Sequence, residues 1–220
     1  MRRLSFVFYI ILVLSISFFN VIFSYNVILR VPETYIYHFN DSQATYNISA
    51  NITGGDIADE IASYFNSPFI KEFQIYEKNG NFKDPIFEKK ETEIMKKSKK
   101  ILGVSAFAGI VLFVVSILTY IYLMKNTSKS KLRKTGYAAI GTSALLQIIS
   151  VVCLNIDAIR KSIYGTVIGI STGKDSLLNL LIGSPFEATV SIFSSIITGI
   201  FIGIFVYIHY KITKEEHIFY

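Results

Sequence analysis

The sequence predicts an α-helical membrane protein: four transmembrane helices, with a small α+β extracytoplasmic domain between the first and the second. Three observations predict it. The chain contains four long apolar runs without charge. Its 220 residues are 51% hydrophobic and 17% charged, with a mean hydropathy of +0.45. Its basic residues sort the connecting segments into two classes.

A helix rises about 1.5 Å per residue, so about 17 to 25 apolar residues cross a hydrocarbon layer about 30 Å thick. Leu4 to Leu29, Ile101 to Leu123, Tyr137 to Leu154 and Ala188 to Tyr210 meet that length without one Asp, Glu, Lys or Arg. The first element, 1–29, opens Met1-Arg2-Arg3 and stays apolar beyond a signal-peptide core, with no A-x-A-like site after it. It reads as an uncleaved signal anchor.

Orientation follows the excess of Lys and Arg on short cytoplasmic flanks. Arg2, Arg3, Lys125, Lys129, Lys131, Arg133 and Lys134, with Lys211 and Lys214 against Glu215 and Glu216, come to +7 of a total of +6. The 30–100 and 155–187 segments carry the remaining −1. Both termini and the basic loop 125–136 are therefore expected in the cytosol, with those two segments outside. Lys96, Lys97, Lys99 and Lys100 stand just before the second span (101–124), on the outer side. A long translocated segment tolerates them. They either lie along anionic headgroups or form an ordinary solvated helix end.

Within 30–100, Thr34 to Phe39 is aromatic and β-branched and reads as a short strand. A polar loop follows, with Asn40, Asn47 and Asn51 each opening an N-x-[ST] triplet. Asp56 is placed to cap a helix through Tyr64, where Ile57, Ile61 and Tyr64 share one face. Phe69 to Glu77 reads as a strand, Asn79-Gly80 as a tight hairpin turn, and the return strand runs through Phe82. From Pro85 a helix with Ile86, Phe87, Ile94 and Met95 on its apolar face runs into the second span.

The third span (137–154) leads to an external interfacial loop, 155–187. There Ile163 to Ile170 is apolar but too short to cross, which suits a re-entrant or interfacial piece. A polar turn from Ser171 to Asp175 and a short helix from Ser176 to Ile182 complete the connection. The fourth span, 188–210, carries Ser191, Ser195, Gly199 and Gly203 at intervals of four, a strip of small residues suited to close helix packing. The tail is 211–220. With no charge inside the spans, a transporter or channel is disfavoured. Gln147 is the most polar group there and reads as interhelical glue.

Chemistry is sparse. The three histidines are His38, His209 and His217, and only His38 belongs to the expected outer side. Cys153 is the one thiol, which excludes a disulfide framework, a thiol-rich metal site and the paired cysteines of claudin-like tetraspan proteins. No nucleophile elbow, zinc-binding helix motif or phosphate loop is present. The residues call for no cofactor, no metal and no nucleic-acid partner. A composition heavy in Ile, Lys, Asn, Phe and Tyr without Trp suits an AT-rich genome, and hence the plasma membrane of a low-GC Gram-positive bacterium.

Asn79-Gly80 followed by Ile86-Phe87-Glu88, Glu91 and Met95 resembles a signature of the Lit family, bacterial lipoprotein intramolecular transacylases. Asp175-Ser176-Leu177-Leu178 with Pro185-Phe186 is similar to that family's acidic turn before its last span, and the resemblance covers nearly the whole chain. It implies an enzyme that moves an acyl chain from the glyceryl group of a lipoprotein's terminal cysteine to that cysteine's nitrogen, with histidine as general base. At the positions corresponding to the family's first histidine and its acidic neighbour, this chain has Ile94 and Lys97. Tyr164 stands near the place of the second histidine.

Three readings stay open. One is a non-catalytic relative that keeps a groove for membrane lipid or for a lipoprotein or lipopeptide, with Lys96, Lys97, Lys99, Lys100, Tyr164 and Asp175 as lipid-interface residues. Another is a tetraspan scaffold of undetermined oligomeric state. The third is an acyltransferase using His38, Glu91 or Glu93.

Overall fold

The computed structural model describes residues 2–42, 52–68, 72–79, 82–167 and 177–214. Its elements are α1 (Arg2–Ile28), α2 (Pro32–Ser42), α3 (Gly54–Asn66), β1 (Tyr76–Asn79), β2 (Phe82–Pro85), α4 (Lys89–Asn126), α5 (Lys129–Asn155), α6 (Asp157–Val167), α7 (Leu177–Ile182) and α8 (Ser184–Thr213).

Four segments, Ser5–Ile28, Lys89–Asn126, Lys129–Asn155 and Phe186–Thr213, are long and apolar enough to cross a membrane. Only 28, 17, 17 and 28% of their most apolar windows is buried within the chain. Phe6, Val104, Phe107, Ile110, Leu118 and Ile192 are among the many large apolar side chains turned outward. A fold built for water would hide them, whereas lipid accepts them and leaves the inside of the bundle to close packing and hydrogen bonds.

The chain divides into two compact units. The first comprises Met1–Ser24, Ser105–Ser150 and Ser194–Tyr220. Leu12, Ile16, Leu123, Leu132 and Ala139 form its buried apolar seam. Polar groups tie the helices alongside that seam. Ser17 Oγ donates to the Ala139 carbonyl at 3.1 Å, and Asn20 Nδ2 donates to Ser143 Oγ at 3.2 Å. Gln147 Nε2 donates to Ser194 Oγ at 3.0 Å and to Ser195 Oγ at 3.2 Å, while its Oε1 accepts from Thr198 Oγ1 at 3.2 Å. Every partner is a neutral hydroxyl, amide or carbonyl, which hydrocarbon surroundings tolerate when the bond is made.

At one end of this unit the ring of His209 is enclosed. Tyr120 Oη lies 2.8 Å from Nδ1, and the Arg133 carbonyl lies 3.3 Å from Nε2. A carbonyl can only accept, so Nε2 carries the proton and Nδ1 accepts from tyrosine. Phe205 stacks on the ring at 5.4 Å. The ring rests directly on Gly136, where any Cβ would overlap it. Arg133 Nη2 reaches the Thr213 carbonyl, and Lys129 Nζ reaches that of Lys214 at 3.3 Å, so basic side chains near the start of α5 cap the end of α8. The stretch expected as the basic loop 125–136 is thus helical except at Thr127 and Ser128.

The second unit comprises Tyr25–Val104 and Val151–Phe193. Thr34 to Phe39, expected as a strand, is helical, and this is the largest correction to the sequence reading. Pro32 at the first helical position and Glu33 in the first turn start α2, and Thr34, Tyr35, His38 and Phe39 fall on its buried face. The next helix begins earlier than expected. Its N-cap is Thr53, and Asp56 sits three residues in: Asp56 N donates to Thr53 Oγ1 at 3.2 Å and Thr53 N donates to Asp56 Oδ2 at 3.0 Å. This reciprocal box holds the Asp56 carboxyl below its ordinary value.

The hairpin pairs Tyr76 with Pro85 and Asn79 with Phe82. Its first strand starts at Tyr76 rather than Phe69, and its second ends at Pro85. Residues 69–71, Gly80 and Asn81 lie outside the described residues. Among those that are described, strand is confined to this ribbon, so the α+β character expected for 30–100 reduces to helices and one hairpin. In the 155–187 connection, α6 covers the start of the apolar stretch from Ile163, 168–176 lies outside the described residues, and α7 begins one residue after Ser176.

Gly136→Ala is expected to lower the melting temperature of the purified protein in detergent, and to do so much less in a His209→Ala background. Equal losses in both backgrounds would show that the ring and the glycine do not pack against one another.

Candidate functional site

Polar side chains of the second unit converge on the segment 178–187, where α7 meets the start of α8. Glu91, in the first turn of α4, is 3% exposed, too little for its charge to depend on water. One oxygen accepts from its own Glu88 N at 2.8 Å, and the other accepts from Leu178 N at 2.8 Å. Both donors belong to the starts of helices, where main-chain N–H groups lack helical partners and the helix dipole favours an anion. The family-like stretches around 79–95 and 175–186 are therefore joined by a single carboxylate.

The second group is His38. It is 1% exposed, hydrogen-bonds the Leu181 backbone, and meets Phe186 edge-on at 5.3 Å, while Tyr35 stacks on Phe186 at 5.1 Å. Its Nε2 has no hydrogen-bond partner. Burial pulls the imidazole below its ordinary value, and the Leu181 hydrogen bond and Asp41 offset this in part. Helical rather than extended backbone at 34–39 turns His38 inward beside Tyr35.

The third group escaped the sequence reading. Arg160 of α6 is enclosed, paired with the more exposed Asp157 one turn before it and with Glu187 Oε2 at 3.6 Å. Asp157 and Arg160 at helical spacing, and Glu187 in the first turn of α8, were the available signals. Nothing in the spacing joined residues 27 positions apart.

Close to the apolar part of α4, Tyr64 packs on Phe73 at 5.1 Å and Lys99 Nζ sits 4.3 Å from its ring centroid. Lys99 is thus turned inward, while Lys96, Lys97 and Lys100 are exposed, as is Glu93. Tyr164 lies on α6, its side chain outside the described residues, as is Asp175. Ser191 is buried and accepts from Asn155 Nδ2 at 3.1 Å. Considered in the first unit, Ser195 takes the Gln147 bond, while Gly199 and Gly203 are exposed with open space where a side chain would stand. Among the described residues, no group of His, Cys, Asp and Glu is placed to hold a metal ion.

These features define a class, a multi-pass helical membrane protein whose non-membrane helices are pinned by buried polar side chains. The profile of the family described as lipoprotein intramolecular transacylase Lit matches residues 10–159, and the chain belongs to that family. Its fold is similar to that of the membrane-integral lipoprotein intramolecular transacylase Lit from Bacillus cereus. The TM-score is 0.73 at 11% identity, covering 96% of this chain and 97% of that one. A structure of the Bacillus cereus protein with a histidine-to-arginine mutation gives a TM-score of 0.70 at 12% identity, covering 95% and 93%. No curated protein matches the chain.

Two outcomes follow from the pinned groups. Glu91→Gln turns an amide NH2 toward one of two N–H donors and is expected to destabilise the protein by about 1–3 kcal/mol, read as a lower melting temperature and faster proteolysis near α7. His38 has its proton affinity lowered by folding, so its contribution to stability is complete above about pH 6.5 and declines as pH falls below that value. Melting curves from pH 7.5 to pH 5 test this: the decline should be smaller in His38→Asn, which cannot titrate but keeps a donor for Leu181.

Proposed function

We propose that this family member binds the lipidated end of a lipoprotein, or membrane lipid of similar shape, at the outer membrane surface without transferring an acyl chain. Acyl transfer from a glyceryl ester to an amine breaks one C–O bond and forms one C–N bond. It also moves a proton from the nitrogen to the departing oxygen. A base with an available lone pair and a proton affinity near neutrality must stand beside the reacting atoms. The observation that carries the proposal is Glu91, whose two oxygens are each committed to a main-chain N–H. His38 is enclosed among Tyr35, Phe39 and Phe186. Glu93 is exposed to solvent. Ile94 occupies the place that the resemblance gives to the first histidine, and Tyr164 stands near that of the second, which has no counterpart here.

On this reading both termini lie in the cytosol, 30–100 and 155–187 face outward, and Tyr164 and Asp175 stand at the lipid interface. The open strip at Gly199 and Gly203 supports a second reading, a scaffold whose fourth span packs against another chain.

The test is expression in a strain whose lipoproteins are diacylated, with mass spectra of their N-terminal peptides, together with binding of a synthetic diacylated lipopeptide to the purified protein. Binding without acyl migration is the expected result. Migration to the amino nitrogen would overturn the non-catalytic proposal, and indifference to the lipopeptide with recovery of a stable oligomer would favour the scaffold.

A further inference from the structure

The exposed face of α4 changes chemistry at a single step. Lys89, Lys90, Glu93, Lys96, Lys97 and Lys100 are exposed along its first turns, at spacings of three and four that keep them on one side. From Ile101 to Met124 the exposed side chains are apolar, with Val104 63% exposed. The opposite face buries Glu91, Met95 and Leu102. A switch from lysine to bare apolar surface marks where water and headgroups end and hydrocarbon begins.

The helical rise converts sequence into depth. At about 1.5 Å per residue, Lys100, Lys97 and Lys96 stand within about 8 Å of that step, and Lys90 and Lys89 about 16 to 18 Å from it. The headgroup region of one leaflet is only about 5 to 8 Å deep. The first three lysines therefore lie at phosphate level. The other two stand well above it, with Glu93 between the two sets. Lys99 is withdrawn from this face by its seat on the Tyr64 ring. Among the described residues, Lys96, Lys97 and Lys100 make no ion pair.

We propose that Lys96, Lys97 and Lys100 form a binding surface for the phosphates of anionic phospholipid headgroups. Three ammonium groups on flexible stems, placed at phosphate depth and not engaged by any carboxylate, complement a negatively charged leaflet and have no comparable partner in a zwitterionic one. Each is expected to favour anionic lipid about fivefold. The inference needs α4 in a membrane and does not need lipoprotein binding, so either can fail without the other.

Native mass spectrometry of the full chain, released from micelles containing equal phosphatidylglycerol and phosphatidylcholine, tests it by the ratio of retained lipids. The wild type is expected to retain phosphatidylglycerol preferentially, and K96Q/K97Q/K100Q to lose at least tenfold of that preference. K89Q/K90Q should keep it, and so should K96R/K97R/K100R. The melting temperature of each variant in neutral detergent confirms that it is folded. Should the triple glutamine variant misfold, high salt must abolish the wild-type preference for the same reason. The proposal is overturned if K89Q/K90Q loses as much as the triple variant, if the triple variant retains wild-type preference, or if salt leaves the preference unchanged.

Discussion

A carboxylate taken out of water needs donors for both oxygens, and Glu91 obtains both from main chain that would otherwise be unsatisfied. One donor is the N–H of Glu88 at the start of its own helix; the other is the N–H of Leu178 at the start of α7. The arrangement serves three needs with one side chain. It caps a long helix, caps a short one, and fixes α7 so that Leu181 can meet His38 and so that α8 can start with Phe186 against Tyr35. α7 spans six residues, too few to hold a helix by propensity alone. Its place in the fold depends on tertiary contacts, among them the hydrogen bonds of Leu178 with Glu91 and of Leu181 with His38.

The membrane bundle is held by a different economy. In lipid the usual preference of apolar side chains for one another vanishes, because hydrocarbon surrounds them either way. The first unit accordingly turns much of its apolar surface outward and keeps Ser17, Asn20, Ser143, Gln147, Ser194 and Thr198 inside. None carries a full charge, so none imposes the cost of a buried ion. In the second unit Arg160 and Asp157 lie outside the four membrane segments and Glu187 is in the first turn of α8, and their pairing with the exposure of Asp157 makes the buried charge tolerable.

The four membrane segments could be read from sequence because span length and freedom from charge are one-dimensional properties. The helix through Tyr64 and a hairpin near Asn79 were legible in outline for a similar reason, since each is signalled by neighbouring residues, although the cap is Thr53 rather than Asp56 and Asn79 ends the first strand opposite Phe82. Thr34 to Phe39 was not. Its aromatic and β-branched residues favour a strand locally, but Tyr35 and Phe39, four apart, bury one side of a helix, and that burial outweighs a propensity worth well under 1 kcal/mol per residue. Pro32 and Glu33 announced that helix, and the aromatic run concealed it. Of the site, Glu91 was found by resemblance and Arg160 with Glu187 was missed, because the pairing depends on where α6 and α8 lie in space. The inward turn of Lys99 beside three outward lysines likewise depends on α3, which places Tyr64 beneath it.

The seat of His209 on Gly136 bears on how the bundle is assembled. A ribosome delivers α8 after α4 and α5 have already been made. The ring enters only over the glycine. Sliding α5 by one residue rotates it by about 100° and presents the side chain of Thr135 or Tyr137 in its place. Tyr120 and the Arg133 carbonyl then receive the two ring nitrogens in one tautomer only. Helix α8 therefore arrives as a key that fits at one rotation and one depth, and the lock on α4 and α5 is complete before the key is synthesised.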